Sequence, residues 1–442
     1  SMKAGIDVLA AYPAPRVFVM GQIGELGDTA PQLHAEVGAY ARARGIEVIT
    51  DPAQDSASPL LGLAWREGGR LDDHAGYTWA GLVGMADPIR EGVPEAVAIA
   101  RRAGIRVVML TGDYRRTAES IAAATGIVTP GASPAVLEGR DIGALSDEQL
   151  RDRVAATAVY ARVRPQDKLR IVRALAANGE VTAMIGDGVN DAPALAQADI
   201  GVVVGTATDV ARETADLVLL DNSFGTIVAA VEEGRVIFDN IRKVVAYVLS
   251  NSFAEVITIF VAMLLGWPAP LLVAQILWIH LICDGPEDLV LGWEPREPGI
   301  MERQPARADE PILDRLAGGL IVAISCASAA AALAIFGWYH LVDGDPEVGR
   351  SLIFACFATG SVIYILAYRS LRIPIWHMAP PTANRPLPWT IALGLAMTVL
   401  PFVVPPIGEA LGVVALGPPQ WLTVAGFAAT LLVIVEIGRA HV

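Results

Sequence analysis

The chain has 442 residues, 53% of them hydrophobic, with a mean hydropathy of +0.47 and a formal net charge of −14. That length exceeds one ordinary domain, and that hydropathy excludes a wholly soluble protein. The acidic balance, without a dense Lys/Arg stripe, excludes nucleic acid as a partner. Cys283, Cys326 and Cys356 all lie in apolar runs and offer neither a disulfide framework nor a paired-cysteine metal cluster. Ser1-Met2-Lys3 leads into a weakly apolar, Pro-interrupted stretch instead of a secretory signal, so membrane insertion is expected to rest on later segments.

Residues 1–80 read as an incomplete α/β piece: a strand over Arg16–Met20, a helix over Ala30–Arg44, a loop over Asp51–Pro59 and a strand over Leu60–Trp65. From Tyr77 the pattern sharpens. A strand over Leu82–Ala86 is closed by Asp87-Pro-Ile-Arg90, and a helix follows over Val93–Ala103. Next comes a buried strand, Ile105–Leu110, ending in Thr111-Gly112-Asp113, and then a helix over Thr117–Thr125. Residues 146–179 give two more helical stretches around Tyr160–Lys168. A strand over Val181–Ile185 precedes Gly186-Asp187-Gly188-Val189-Asn190-Asp191, and Asp199–Val204 forms another. Strand–helix alternation of this kind implies a parallel sheet whose site lies at the carboxyl ends of its strands.

Three elements then converge. The Thr111 hydroxyl and its neighbouring amides can hold a phosphoryl oxygen, and Lys168 can bring a positive charge to the same group. Asp187 and Asp191 can hold Mg2+, which prefers a few carboxylates plus water and phosphate oxygens. Phosphoryl transfer needs mainly positioning and charge neutralisation, which these residue types supply. No nucleophile is visible among them. Taken alone, Thr111-Gly112-Asp113 is an ordinary turn and Lys168 a solvated helix start; the run from Gly186 through Asp191, followed by Ala192-Pro-Ala-Leu195, is too definite in its chemistry for a mere loop.

The series Asp87-Pro-Ile-Arg90, Thr111-Gly-Asp113, Ala161-Arg-Val-Arg-Pro-Gln-Asp-Lys168 and Gly186-Asp-Gly-Val-Asn-Asp191 closely resembles the P-type cation-transporting ATPases over about residues 80–300. The resemblance implies an α/β haloacid-dehalogenase-like phosphorylation domain, with a Rossmann-like parallel sheet, over residues 81–243. It makes residues 1–80 a partial nucleotide-binding domain, and ATP and Mg2+ the cofactors. By the same resemblance Thr111, Gly112, Asp113 and Lys168 meet the aspartyl phosphate. Asp187 binds Mg2+ with Asn190 and Asp191 completing the site, and Asp87 and Arg90 stand at the hinge towards the nucleotide-binding domain. The family's phosphorylated-aspartate string Asp-Lys-Thr-Gly-Thr and its Thr-Gly-Glu loop do not occur in the sequence, and Val19-Met-Gly-Gln22 stands where Lys-Gly-Ala-Pro is usual. The chain is therefore expected to be the carboxyl-terminal part of a longer pump, with the remaining amino-terminal part as its partner.

Residues 244–442 read as a membrane domain of six helices, over about 244–265, 270–291, 316–338, 351–369, 389–407 and 420–437. Phe238-Asp-Asn-Ile-Arg-Lys243 is an amphipathic lead-in to the first. Arg296, Arg303, Arg307 and Arg315 fall between spans two and three, and Arg369, Arg372 and Arg385 after span four. The opposite loops carry almost no basic residue. That is the positive-inside pattern of a multi-pass cell-membrane protein with its soluble domains and both ends cytoplasmic.

Ionisable residues inside spans are costly and default to functional candidates. Glu255 shares a helix face with Asn251 and Ser252. His280, Asp284 and Glu287 repeat the spacing in the next span beside Cys283, where Gly285-Pro286 breaks the helix and frees carbonyls. His280 reads equally as a packed polar residue, Cys283 more readily as a small buried apolar one, and Glu287 and Asp288 either join this face or simply reach the interface. Trp278–Gly285 and Leu289–Pro295 resemble the sixth helix of calcium-type pumps, so the six spans would be helices five to ten, with Glu255 and Asp284 as ion-binding carboxylates. Ser252, His280 and Cys283 stand where asparagines and a threonine are usual, and Gly360-Ser361 stands where a helix-eight ligand would lie. The transported cation is thus Ca2+ or a softer divalent ion such as Mn2+ or Zn2+; the alternatives are a proton pump of the same fold and a non-catalytic membrane scaffold.

Overall fold

The computed structural model describes residues 17–19, 47–49, 60–65, 78–84, 89–129, 135–221, 223–306 and 310–440. The chain divides into two compact units, Ser1–Ala229 with Met301–Ala308, and Ala230–Ile300 with Asp309–Val442.

In the first unit β1 (Val17–Val19) and β2 (Glu47–Ile49) pair in parallel, and β3 (Leu60–Trp65) pairs antiparallel with β4 (Thr78–Gly84). The expected helix at 30–44 lies outside the described residues, as does Asp87. Of the expected strand at Leu82–Ala86, the part to Gly84 is the end of β4, in this hairpin and not in the parallel sheets, with Leu82 opposite Gly62; Met85 and Ala86 lie outside the described residues.

The chain then runs through α1 (Val93–Arg102), β5 (Met109–Leu110), α2 (Arg115–Ala124), β6 (Ala135–Glu138), α3 (Gly139–Ala144), α4 (Asp147–Val154) and β7 (Thr157–Ala161). It continues through α5 (Pro165–Ala177), β8 (Ala183–Gly186), α6 (Ala192–Leu195), β9 (Ile200–Val204), α7 (Asp209–Glu213) and β10 (Leu217–Leu219). Two three-stranded parallel sheets result, ordered β5-β7-β6 and β10-β9-β8. The fold class is therefore as expected, but two strand readings need correction. The buried strand read over Ile105–Leu110 shrinks to Met109–Leu110. Arg106 instead turns its guanidinium onto the Val154 and Ala155 carbonyls at the end of α4. The region 146–179 holds the central strand β7 between its two helices. Val159, Tyr160 and Ala161 are fully buried there, so the strand carries no polar–apolar alternation. Helix α5 joins the two sheets' cores. Its Ile171 and Ala174 pack with Leu137, Leu150 and Tyr160, and its Val172 packs with Met184, Leu195 and Val203.

The second unit is helical. Helix α8 is a single helix from Phe224 to Leu264, so residue 243 falls inside it. The stretch expected as the second span consists of α9 (Val273–Trp278), a π turn (Ile279–Cys283) and α10 (Gly285–Leu291). Then follow α11 (Arg315–Leu341), α12 (Pro346–Tyr368), α13 (Leu387–Val403), α14 (Pro405–Leu411) and α15 (Pro418–Ala440). Among the described residues four helices, Phe224–Leu264, Arg315–Leu341, Pro346–Tyr368 and Pro418–Ile437, are each long and apolar enough to cross a membrane; α13 and α14 make a fifth crossing if the pair, bent by 91°, counts as one. The bend falls at Pro405 and Pro406, which have no N–H to continue the helix. Helix α12 is buried along most of its length and forms the centre of the bundle, while Phe253, Val256, Phe260 and Met263 of α8 point outwards as lipid-facing side chains do.

One end of the bundle is tied by buried charge. Arg369, just after α12, lies 2.7 Å from Glu294, and both side chains are almost completely buried. The other Glu294 oxygen accepts from Asn384 Nδ2 at 2.9 Å, and Arg369 also donates to the Ala379 and Pro380 carbonyls. Nearby, Lys243 pairs with Glu297 at 3.1 Å and donates to Asn240, whose amide reaches the Gly292 and Glu294 carbonyls. A buried pair this well satisfied is costly to break singly, by about 3–5 kcal/mol. Arg369→Met and Glu294→Gln should therefore each lower the apparent melting temperature of the detergent-solubilised protein strongly. The double variant should cost clearly less than their sum, and strict additivity would show that the two side chains do not depend on each other.

Candidate functional site

The first unit gathers most of its candidate residues around the ends of β5, β7 and β8. Thr111 follows β5, and its N–H donates to the Tyr160 carbonyl at 2.9 Å. Arg162 N–H donates to the Asp113 carbonyl, and Val163 N–H to the Thr111 carbonyl, so the end of β7 brackets the Thr-Gly-Asp turn on both sides. Arg162 has φ 52, a left-handed conformation that costs a non-glycine residue about 1–3 kcal/mol. Its guanidinium lies 3.9 Å from the centre of the Tyr114 ring. Within the turn the Thr111 hydroxyl donates to Asp113 Oδ2 at 2.9 Å and accepts from Asp113 N–H. Beneath it, burial pushes the Tyr160 phenol up to about 12, which keeps it neutral as a packing group.

Lys168 sits in the first turn of α5, directly after that bracket. Its Nζ lies 2.6 Å from Asp191 Oδ1, and both side chains are largely buried. Asp191 belongs to the short helical turn Val189–Asp191 that follows β8. A side chain at Gly186 is impossible without movement, because its Cβ would stand 2.5 Å from the Asp191 Cβ. Asp187 and Asn190 remain exposed, and the Asp187 carbonyl accepts from Thr208 N–H, which fixes the loop to the start of α7. The structure thus joins Lys168 to Asp191 and Thr111 to Asp113. Among the described residues no hydrogen bond links those two pairs, and Arg90 is exposed before α1.

The residues fit Mg2+ by their chemistry. One carboxylate, Asp187, is exposed, the second, Asp191, is already part-neutralised by Lys168, and Mg2+ asks for only one or two carboxylates beside water and phosphate oxygens. Among the described residues no three His, Cys, Asp or Glu side chains are gathered to hold a metal by themselves, here or elsewhere.

In the second unit the polar residues of the spans form one connected network. His280 Nε2 lies 3.0 Å from Glu255 Oε2, and its Nδ1 lies 3.9 Å from Asp284 Oδ2. Asp284 accepts from Asn251 Nδ2 at 3.3 Å and from the Ser361 hydroxyl at 2.6 Å. Tyr364 donates to the Asn251 carbonyl oxygen. The π turn sets this geometry: Asp284 N–H reaches back five residues to the Ile279 carbonyl, and such widened turns often occur at functional sites. Ser252 is half-buried and adds no side-chain hydrogen bond. Cys283 turns away, its sulfur 3.7 Å from the Thr398 hydroxyl. Glu287 does not reach an interface: it is fully buried, with Tyr247 as its hydrogen-bond donor at 3.5 Å. Ser361, Tyr364 and Tyr247 have no carboxylate or break beside them in sequence to mark them; only the Gly360-Ser361 position carried a signal.

Comparison with known proteins agrees with this division. Residues 24–199 and 168–231 match families described as haloacid dehalogenase-like hydrolases, and residues 268–440 match the family described as "Cation transporting ATPase, C-terminus". The chain is 34% identical to "Calcium-transporting ATPase 1" of Lactococcus lactis over 99% of its own length and 48% of that protein's. It is 37% identical to "Calcium-transporting ATPase" of Bacillus subtilis over 80% of the chain and 39% of that protein. It is 40% identical to "Probable cation-transporting ATPase F" of Mycobacterium tuberculosis over 73% of the chain and 36% of that protein. The chain therefore spans at most about half the length of these relatives. The matches to both halves of the chain lead to one family: the chain belongs to the P-type cation-transporting ATPases and corresponds to their carboxyl-terminal region.

Proposed function

We propose that this chain is the carboxyl-terminal part of a pump that drives a divalent cation, Ca2+ or one of similar charge, across a cell membrane by an aspartyl-phosphate cycle. The observation that carries the reading is the network Glu255–His280–Asp284–Asn251–Ser361, polar and largely buried within the helical bundle. Buried carboxylates with so few basic partners are suited to an arriving cation. At the other site Asp187 and Asp191 would hold Mg2+, which neutralises charge on a transferring phosphoryl group when bound. Lys168 keeps Asp191 in place, the Thr111 hydroxyl and the amides of its turn hold phosphoryl oxygens, and Asp87 and Arg90 serve the hinge to the ATP-binding part. The phosphorylated aspartate and the remaining nucleotide-binding part are supplied from outside this sequence. An orientation with the soluble parts and both ends in the cytoplasm is supported by the arginines at 296, 303, 307, 315, 369, 372 and 385, which follow the positive-inside pattern.

A proton is the second reading, favoured by the direct His280–Glu255 hydrogen bond. Stimulation of ATP hydrolysis by Ca2+ or Mn2+ in the whole pump supports the first reading; hydrolysis that ignores both metals and follows pH supports the second.

Two further outcomes are expected. Gly186→Ala forces the Asp191 carboxyl away from its position, and Asp187→Ala removes the exposed ligand. Each should slow phosphoenzyme turnover of the whole pump by about 100-fold or more, the scale of losing one preorganised charge-stabilising group, while cation binding to the spans persists. Glu255→Gln should do the reverse, sparing Mg2+ dependence but weakening cation-dependent phosphorylation. Full transport by Asp187→Ala or Glu255→Gln contradicts the assignment.

A further inference from the structure

Two local irregularities of the soluble unit meet each other at the ends of β5 and β7. Tyr114 is the N-cap of α2, a position where Ser, Thr, Asp or Asn normally offers a side-chain acceptor to the first turn. Its side chain caps nothing, and it is 48% exposed, so the ring serves no core either. Arg162 is the one non-glycine residue among the described ones with a left-handed backbone. A fold departs from local preference in this way where something else is gained. The two departures share a contact: the Arg162 guanidinium lies over the Tyr114 ring, 3.9 Å from its centre.

The backbone around them shows what that contact holds. The corner Arg162–Val163 leads from β7 into α5. Its two N–H groups donate to the Asp113 and Thr111 carbonyls, at 2.9 and 3.1 Å. On its other side a Cβ at Gly139 would run into the Arg162 carbonyl oxygen, so α3 approaches the corner only with glycine there. Just beyond, the Arg164 N–H donates to the buried Asp167 at 2.9 Å and opens α5, whose first turn carries Lys168 to Asp191. The corner therefore supports both Thr111–Asp113 and Lys168–Asp191, which no hydrogen bond joins directly among the described residues. Two main-chain hydrogen bonds tie it to the Thr111–Asp113 turn, and the Tyr114–Arg162 stack is a third tie, made by side chains. Since Gly112, Asp113 and Tyr114 are all exposed, such ties hold the turn more than packing does.

We propose that Tyr114 is a positioning residue: by stacking on Arg162 its ring fixes the Thr111–Asp113 turn to the β7–α5 corner, and so fixes that turn relative to Lys168 and Asp191. The proposal rests on the phosphoryl-transfer reading above and adds to it a residue that touches neither phosphate nor metal. Phosphoryl transfer depends chiefly on positioning, so a loosened turn costs phosphate affinity and rate.

The test is phosphorylation of the detergent-purified whole pump by radiolabelled inorganic phosphate and by ATP, with melting temperature followed in parallel. Tyr114→Ala should weaken the apparent affinity for inorganic phosphate by about two- to fivefold, the scale of one exposed cation–π contact. It should slow phosphoenzyme formation from ATP in proportion, with the KM for ATP and the melting temperature unchanged. Tyr114→Phe keeps a ring and should restore both readouts. Arg162→Gly takes up the left-handed backbone without strain and removes only the guanidinium. It should match Tyr114→Ala, and the double variant should be no worse than either alone. Wild-type phosphate affinity in Arg162→Gly, or in a folded Tyr114→Ala, overturns the proposal. So does a loss in Tyr114→Phe as large as that in Tyr114→Ala, an additive loss in the double variant, or a loss that only follows a lowered melting temperature. If Tyr114→Ala does not fold, Arg162→Gly decides by the same criterion. A wild-type pump that is phosphorylated by neither donor removes the phosphoryl-transfer reading and the positioning role with it.

Discussion

An ionised carboxyl group moved out of water loses hydration worth several kcal/mol, and a protein that buries one must replace what was lost. Asp284 meets this demand with contributions from three directions: the Ser361 hydroxyl from α12, the Asn251 amide from α8 and the His280 ring from its own π turn. Those three partners fix much else. Asn251 is itself held by Tyr364, whose ring meets those of Tyr247 and Tyr368 at a tilt, and Ser250 beside it bonds Tyr368. The centre of the bundle is thus a polar and aromatic cluster wrapped by an apolar shell, and helix α12 is buried so completely because its inner face carries half of that cluster.

The same economy appears at the bundle end, with a different answer. Glu294 and Arg369 are buried as deeply as Asp284, yet each is fully matched by an opposite charge, carbonyls and the Asn384 amide. Matched charge holds shape; it has no remaining capacity for a ligand. The carboxyls around the π turn are the opposite case. Glu255, Asp284, Glu287 and Asp288 share one hydrogen-bonded basic side chain, His280, among the described residues. One helical unit thus holds a satisfied charged layer and an under-compensated one, and the second is the layer proposed as the cation site.

How far the sequence went depends on whether a feature is local. The Gly186–Asp191 loop and the helix start at Val93 are set by residues within a few positions, and both were legible. Strand β7 was not, because a strand buried on both faces lacks alternation and its alanines read as helix. Strand β5 was over-read for a related reason: an apolar run is required for burial, but only Met109 and Leu110 meet a partner in register. In the spans, Glu255, Asp284 and His280 announced themselves by charge. Ser361 and Tyr364 did not, since a hydroxyl in an apolar helix looks like packing until the helix across from it is placed. Glu287 was visible but misplaced: its depth depends on the π turn, which shifts the register of everything after Ile279 and which no residue pattern signals.

The soluble unit shows why the phosphate-type site looks open. Its two loops are carried by β5 and β8, and each of these strands stands at the end of its own three-stranded sheet, paired on one side only among the described residues. Lys168 and Asp191 are held firmly because α5 packs against both sheets. Asp187, Asn190, Gly112 and Asp113, by contrast, sit beyond strand ends whose outer edges are unpaired, and they are exposed. Phosphoryl transfer depends on fixed dipoles acting where water is excluded. The part of the proposed site that stands on packed elements, Lys168 with Asp191, is held in place, and the part that stands at the open edges is exposed to water.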